Sequence, residues 1–185
     1  MTQLSSVVVK ELISIFKKTN VVQFGSFQLK DGSLSKVYFD LRVLSNYPKE
    51  FKKTIKIIAD YIKINADIGP FDGIIAPPLA GIPLGVALAL ELDKEYYLAR
   101  LQPKAYGTKK FIEGNISKKR ILIVDDVITT GGSKIPLLKA IRDNEGRVES
   151  LFVVVNRTPD AVKLAEFEQQ NQVKVHYLLS LEDLI

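Results

Sequence analysis

Residues 120–134 read RILIVDDVITTGGSK. The apolar run from Ile121 to Val124 shows no polar alternation, so a strand here is buried on both faces, as in a parallel sheet covered by helices. The run ends in two adjacent carboxylates, Asp125 and Asp126, and then turns to hydroxyls and glycines. A plain strand-to-helix turn with a capping serine does not explain two acids beside a buried strand, where unpaired charge is costly.

The loop explains itself better as a ligand site. Ligands of a parallel sheet bind outside the carboxyl ends of its strands, and the acids are expected to emerge there. A helix begins with unpartnered backbone N–H groups and the positive end of its dipole. Gly131 and Gly132 let the backbone approach a phosphate, and Thr129, Thr130 and Ser133 add hydroxyls, which together make a phosphate cradle. The acids repel phosphate and instead suit a neighbouring diol, as in a ribose. They also suit positive charge at a sugar ring, or magnesium held directly or through water. The segment therefore reads as a sugar-phosphate site. A Walker loop fails on spacing, because Ser133 separates Gly132 from Lys134, and no G-x-G-x-x-G occurs in the chain.

Working outward, helical periodicity covers residues 4–18, 48–65, 81–92, 133–144 and 159–170. Pro48 and Pro159 stand at first-turn positions and Gly146 just past a helix end. Segments 72–76, 96–100, 121–124, 148–155 and 173–178 are rich in Ile, Val and Leu. Alternation of such strands with helices predicts an α/β fold, a mostly parallel central sheet with helices on both faces. Residues 20–42 differ: "KDGS" reads as a turn between extended pieces, a small N-terminal hood beside the sheet. The 185 residues fit one domain, 1–185.

Composition narrows the function classes. With no cysteine, disulfides, thiolate metal sites and cysteine nucleophiles are excluded, and a reducing cytoplasm fits. The N-terminal stretch reads as an amphipathic helix rather than a signal peptide, and no apolar run reaches the roughly 20 residues of a membrane span. The net charge of +5 suits a small anionic substrate. Lys49, Lys52, Lys53, Lys56 and Lys63 lie opposite an apolar stripe and read as a solvated face; nucleic acid is a minor alternative. The single histidine, His176, sits in an apolar strand and reads as an edge or core residue. Zinc sites and Ser-His-Asp chemistry find little support, and no protein metal ligand is assigned.

The stretch "ILIVDDVITTGGS" closely resembles the phosphoribosyl pyrophosphate signature of type I phosphoribosyltransferases. The resemblance implies that the acidic pair holds the ribose hydroxyls and the loop takes the 5-phosphate. Three further stretches resemble orotate phosphoribosyltransferases. "FGSFQLKDGSLSKVYFDLR" (24–42) resembles their N-terminal region, implying that Lys30 reaches the substrates and that Tyr38 and Phe39 border the pyrimidine. "ARLQPKAYGTKKFIEG" (99–114) resembles their mobile catalytic loop, matching at Arg100, Lys104 and Gly107, with Tyr106 alongside. "VVVNRTPDA" (153–161) resembles the segment whose arginine, here Arg157, pairs with orotate. The resemblance runs to about His176. It implies transfer of phosphoribosyl from 5-phosphoribosyl 1-diphosphate to orotate, in pyrimidine biosynthesis. Magnesium is implied as bound through the substrate's pyrophosphate and ribose, and the protein as a cytoplasmic homodimer with shared sites.

The chemistry is consistent with these residues. Displacing pyrophosphate passes through an oxocarbenium-like state, and cations on a closing loop neutralise the leaving group and exclude water. The chain departs from the pattern at Leu101, at Tyr106 where relatives carry histidine, at Leu79 and Ala80 in "APPLAGIP", and at Ser35-Lys36. The departures at Leu101, Tyr106 and Leu79-Ala80 remove charge from the pyrophosphate side; Lys109 and Lys110 either compensate or are solvated. Two alternatives follow, transfer to another base and a non-catalytic nucleotide-binding regulator of the same fold. Arg157 as a strand-end residue, and Tyr38 or Phe39 as hood core, also stay open.

Overall fold

The computed structural model describes residues 5–28, 32, 34–100, 111–158 and 160–184. Helix α1 (Ser6–Lys18) leads into an antiparallel hairpin, β1 (Val22–Gln28) and β2 (Leu34–Phe39), which is the hood. Then follow α2 (Pro48–Ile64), β3 (Gly73–Ala76), α3 (Gly81–Glu91) and β4 (Glu95–Leu98). The chain continues through β5 (Arg120–Ile128), α4 (Ile135–Asp143), β6 (Arg147–Asn156), α5 (Ala161–Asn171) and β7 (Lys174–Ser180). The five later strands form one parallel sheet in the order β4-β3-β5-β6-β7.

The unalternated strands are buried on both faces for the expected reason. Leu122, Val124, Phe152 and Val154 point into a core closed by α1, α2 and α3. Ile121, Ile123, Leu151 and Val153 point the other way, against α4 and α5. Both halves of β5 are nearly inaccessible, with Ile123 and Val124 at 0% exposure, so truncating either leaves a cavity costing about 2–5 kcal/mol. The α2 stripe of Ile55, Ile58, Ala59 and Ile62 is buried, while Lys49, Lys52, Lys53, Lys56 and Lys63 are exposed. That pattern is an amphipathic surface helix.

Three of the boundaries that differ from the sequence reading bear on the site. Strand β5 does not stop before the acids but runs to Ile128, because β6 goes on offering backbone partners (Asp125↔Val153, Val127↔Val155) after β3 has ended at Ile75↔Ile123. Polar side chains do not end a strand whose neighbour continues. Helix α4 starts at Ile135 rather than at Ser133, with Lys134 as its N-cap residue and Pro136 in its first turn. Helix α5 starts after Asp160, whose carboxylate accepts from Lys163 N at 2.8 Å; Pro159 lies outside the described residues. Glu145, not Gly146, takes the left-handed conformation (φ 60°) after α4. Gly146 is needed for space, since a Cβ there would lie 2.9 Å from Ile141 Cγ2.

Candidate active site

The C-terminal edge of the sheet gathers the loops after β3, β5 and β6, and the hood hangs over it. Asp125 and Asp126 stand on the overhanging end of β5, at 5% and 8% exposure. On the side that β3 has vacated, the first turn of α3 comes in so closely that a Cβ on Gly81 would sit 2.9 Å from Asp125 Oδ1. A residue the sequence reading did not assign dominates this region. Lys134 is also buried, and its Nζ lies 2.6 Å from Asp125 Oδ2. The same ammonium donates to Val127 O at 2.8 Å and to Ser133 Oγ at 3.0 Å. Asp125 Oδ1 accepts from Asp126 N at 2.9 Å. Burial, and next the Asp125 charge, push the Asp126 carboxyl up to about 7, while Lys134 pulls the other way. Only Lys134's place directly after the hydroxyl and glycine loop signals this in sequence.

The loop itself presents Thr129, Thr130, Gly132 and Ser133 to solvent. Among the described residues none accepts a bond from the Gly132 or Ser133 amide, which leaves those donors for an anion. Gly131 is the turning point: it is buried, has φ 75°, and any Cβ on it would overlap the Phe167 ring. Both requirements select glycine. Lys134 N closes the turn on Gly131 O at 2.9 Å.

Arg157 follows the last residue of β6 and joins the hood to the sheet. Its Nη2 donates to Ser35 Oγ at 3.1 Å and more weakly to Val37 O at 3.4 Å. Its Nε is buried with no hydrogen-bond partner among the described residues, and burial lowers the guanidinium's affinity for its proton. A half-buried cation with an idle donor calls for an anionic ligand. Tyr38 is partly exposed and stacks on Phe27 with ring centroids 5.4 Å apart. Phe39 lies inside, edge-on to Phe16 at 5.6 Å, so it is placed in the core rather than at a ligand's border. Strand alternation makes adjacent residues face opposite sides, which is why one aromatic of the pair had to turn inward. Asp40 clamps Arg42 through two bonds of 2.7 Å, and the Arg42 charge feels Asp126; the sequence reading passed over this arginine too.

Arg100 stands at the root of the loop that follows β4. The root is pinned by Arg100 N to Phe111 O and Glu113 N to Leu98 O, both 2.9 Å. The guanidinium is ion-paired with Glu113, with Nε at 2.6 Å from Oε1. Lys30, Leu101, Lys104, Tyr106, Gly107, Lys109 and Lys110 lie outside the described residues. After β3, Leu79 is 71% exposed and the Pro78–Leu79 peptide is cis. His176 lies two strands away from the acid pair. It lies across from Phe152 within the sheet, fully buried, with neither ring nitrogen partnered among the described residues.

The comparisons agree with this fold. No family model matches the chain. It is 36% identical over 175 residues to the orotate phosphoribosyltransferase of Methanothermobacter thermautotrophicus, spanning 94% of this chain and 92% of that one. With the orotate phosphoribosyltransferase of Pyrococcus horikoshii it shares 37% over 162 residues, 85% of this chain and 84% of the other. Among solved structures, the Aeropyrum pernix orotate phosphoribosyltransferase superposes with a TM-score of 0.79 at 28% identity, covering 94% and 95% of the two chains. An adenine phosphoribosyltransferase from Leishmania donovani, 18% identical with a TM-score of 0.67 over 94% and 81%, shares the fold alone. A parallel sheet with a glycine- and hydroxyl-rich loop at its carboxyl edge, and relatives matched along nearly their whole length, establish that the chain belongs to the orotate phosphoribosyltransferase family.

Proposed function

We propose that this enzyme joins orotate to 5-phosphoribosyl 1-diphosphate, giving orotidine 5′-monophosphate and pyrophosphate. The C1–O bond to pyrophosphate breaks, the bond from C1 to the orotate ring nitrogen forms, and that nitrogen gives up its proton. In this reading the amides and hydroxyls of Thr129–Ser133 hold the 5-phosphate, and the acid pair at the end of β5 supplies a carboxylate for the ribose hydroxyls. A carboxylate beside the ring also favours the positive charge that develops at C1. Arg100 and Lys104 neutralise the departing pyrophosphate, and Lys30 and Tyr38 border the substrates.

The observation that carries the choice of base is Arg157. Orotate brings a carboxylate, which uracil and the purines lack, and the buried guanidinium with an idle Nε supports an anionic base. Magnesium would enter with the donor and would offset phosphate charge as the leaving group departs. Asp125 already faces the Lys134 ammonium, which competes with a metal ion for that carboxylate.

The same proposal makes the enzyme a cytoplasmic homodimer. Among the described residues no helix is long and apolar enough to cross a membrane. The outer side of α3 exposes Val86 and Leu90, with Leu79 just before it, which supports burial against a second copy. Light scattering tests the dimer.

Purified protein with magnesium, donor and a panel of orotate, uracil, adenine and hypoxanthine tests the activity. Turnover with orotate alone is expected. Turnover with another base instead transfers the assignment to that base, and no turnover with any leaves a nucleotide-binding regulator.

A further inference from the structure

No step of that reaction uses Lys134, yet it is among the most deeply buried charged residues described. Its three donors meet three acceptors drawn from both ends of the loop: Asp125 Oδ2 at 2.6 Å, Val127 O at 2.8 Å and Ser133 Oγ at 3.0 Å. An ammonium has three donors, so this one is saturated, and the loop is closed into a ring around it. Both oxygens of Asp125 are engaged as well. One oxygen faces Lys134, the other accepts from Asp126 N at 2.9 Å, and Gly81 crowds it from the α3 side.

We propose that Lys134 is a positioning residue that divides the acid pair, keeping Asp125 as an internal brace of the phosphate loop and leaving Asp126 to take the ribose diol. This rests on the phosphoribosyl reading of the site. The physical reason is charge. Two adjacent carboxylates would repel the phosphate a few ångströms away, and at these depths salt does not screen them. Lys134 cancels one charge from inside, without occupying the face that the ligand approaches. Among the described residues, the charged groups that act on Asp126 are Asp125 and Lys134 from the strand and loop, and Arg42 from the hood. Without Lys134, two neighbouring acids share a buried site and one keeps its proton to higher pH.

The test is calorimetric titration of ribose 5-phosphate between about pH 6 and pH 9, over the range where such an acid titrates. It compares wild type, Lys134→Met, Asp125→Asn, Asp126→Asn and the double variant Lys134→Met/Asp125→Asn. Lys134→Met is expected to weaken binding about tenfold at neutral pH and to move the pH midpoint up by about one unit. In turnover it should raise the donor KM more than it lowers kcat. The double variant, which removes both charges of the pair, should regain the wild-type midpoint, and Asp126→Asn should weaken the sugar phosphate far more than Asp125→Asn. If Lys134→Met does not fold, the double variant and the two single Asn variants carry the same comparison. A double variant with a midpoint still displaced, or equal losses from the two Asn variants, overturns the proposal. Orotate turnover by wild type separates the two levels. Activity with no such pattern among the variants defeats the division of labour alone, whereas neither turnover nor sugar-phosphate binding by wild type defeats the phosphoribosyl reading beneath it.

Discussion

His176 gives the sharpest physical test of the fold. It is the chain's single histidine, sits 1% exposed on β7, and has neither ring nitrogen partnered among the described residues. Burial, reinforced by the Lys174 charge, lowers its pKa from 6.5 to about 4, with Asp67 opposing. The native state therefore binds fewer protons than the unfolded chain between those values, and stability falls as pH drops through that window. From about pH 7 to about pH 5 this one group costs on the order of 2 kcal/mol. In His176→Leu the cost disappears. Urea unfolding at both pH values is the assay, and the readout is the difference between them, from which packing changes and the shared carboxylates cancel. The variant should lose about 2 kcal/mol less than wild type on acidification. A single histidine also gives one unambiguous ring-proton resonance for direct titration. Equal acid losses in the two proteins, or a resonance titrating near 6.5, would refute the account of His176 as a neutral, unpartnered core residue.

The remaining expectations concern the site. Gly131→Ala places a Cβ at φ 75° against the Phe167 ring; the backbone strain alone is about 1–2 kcal/mol, and the displaced loop should raise the donor KM at least about tenfold. Arg157→Ala unties the hood from the sheet and removes the cation proposed to face the base. The KM for orotate should rise by about two orders of magnitude, with the donor KM moving far less, in initial-rate measurements. Glu113→Gln breaks a half-exposed ion pair, worth at most about 1 kcal/mol, so kcat should stay within about fivefold. Arg100→Ala should cost about a hundredfold in kcat through lost charge on the leaving group; equal effects from both would show that Arg100 serves only as a structural partner of Glu113.

Much of this protein follows from local pattern. Unalternated apolar runs separated by helical periodicity are sufficient to give a parallel sheet covered on both faces, because residues 121–124 have no polar side to show to water. The glycines of residues 129–133 specify a tight turn for the same kind of reason, since φ 75° at Gly131 is a property of the residue itself. Tertiary structure decided what depends on neighbours distant in sequence. The length of β5 was set by how far β6 continued beside it, and Phe39 rather than Tyr38 turned inward because Phe16 of α1 was there to receive it. The partnership of Lys134 with Asp125 needed a turn that brings a residue nine positions later back over the strand. A sequence states which charges exist, but whether a buried charge binds a ligand or another side chain depends on distances of a few ångströms, and only the folded chain sets those.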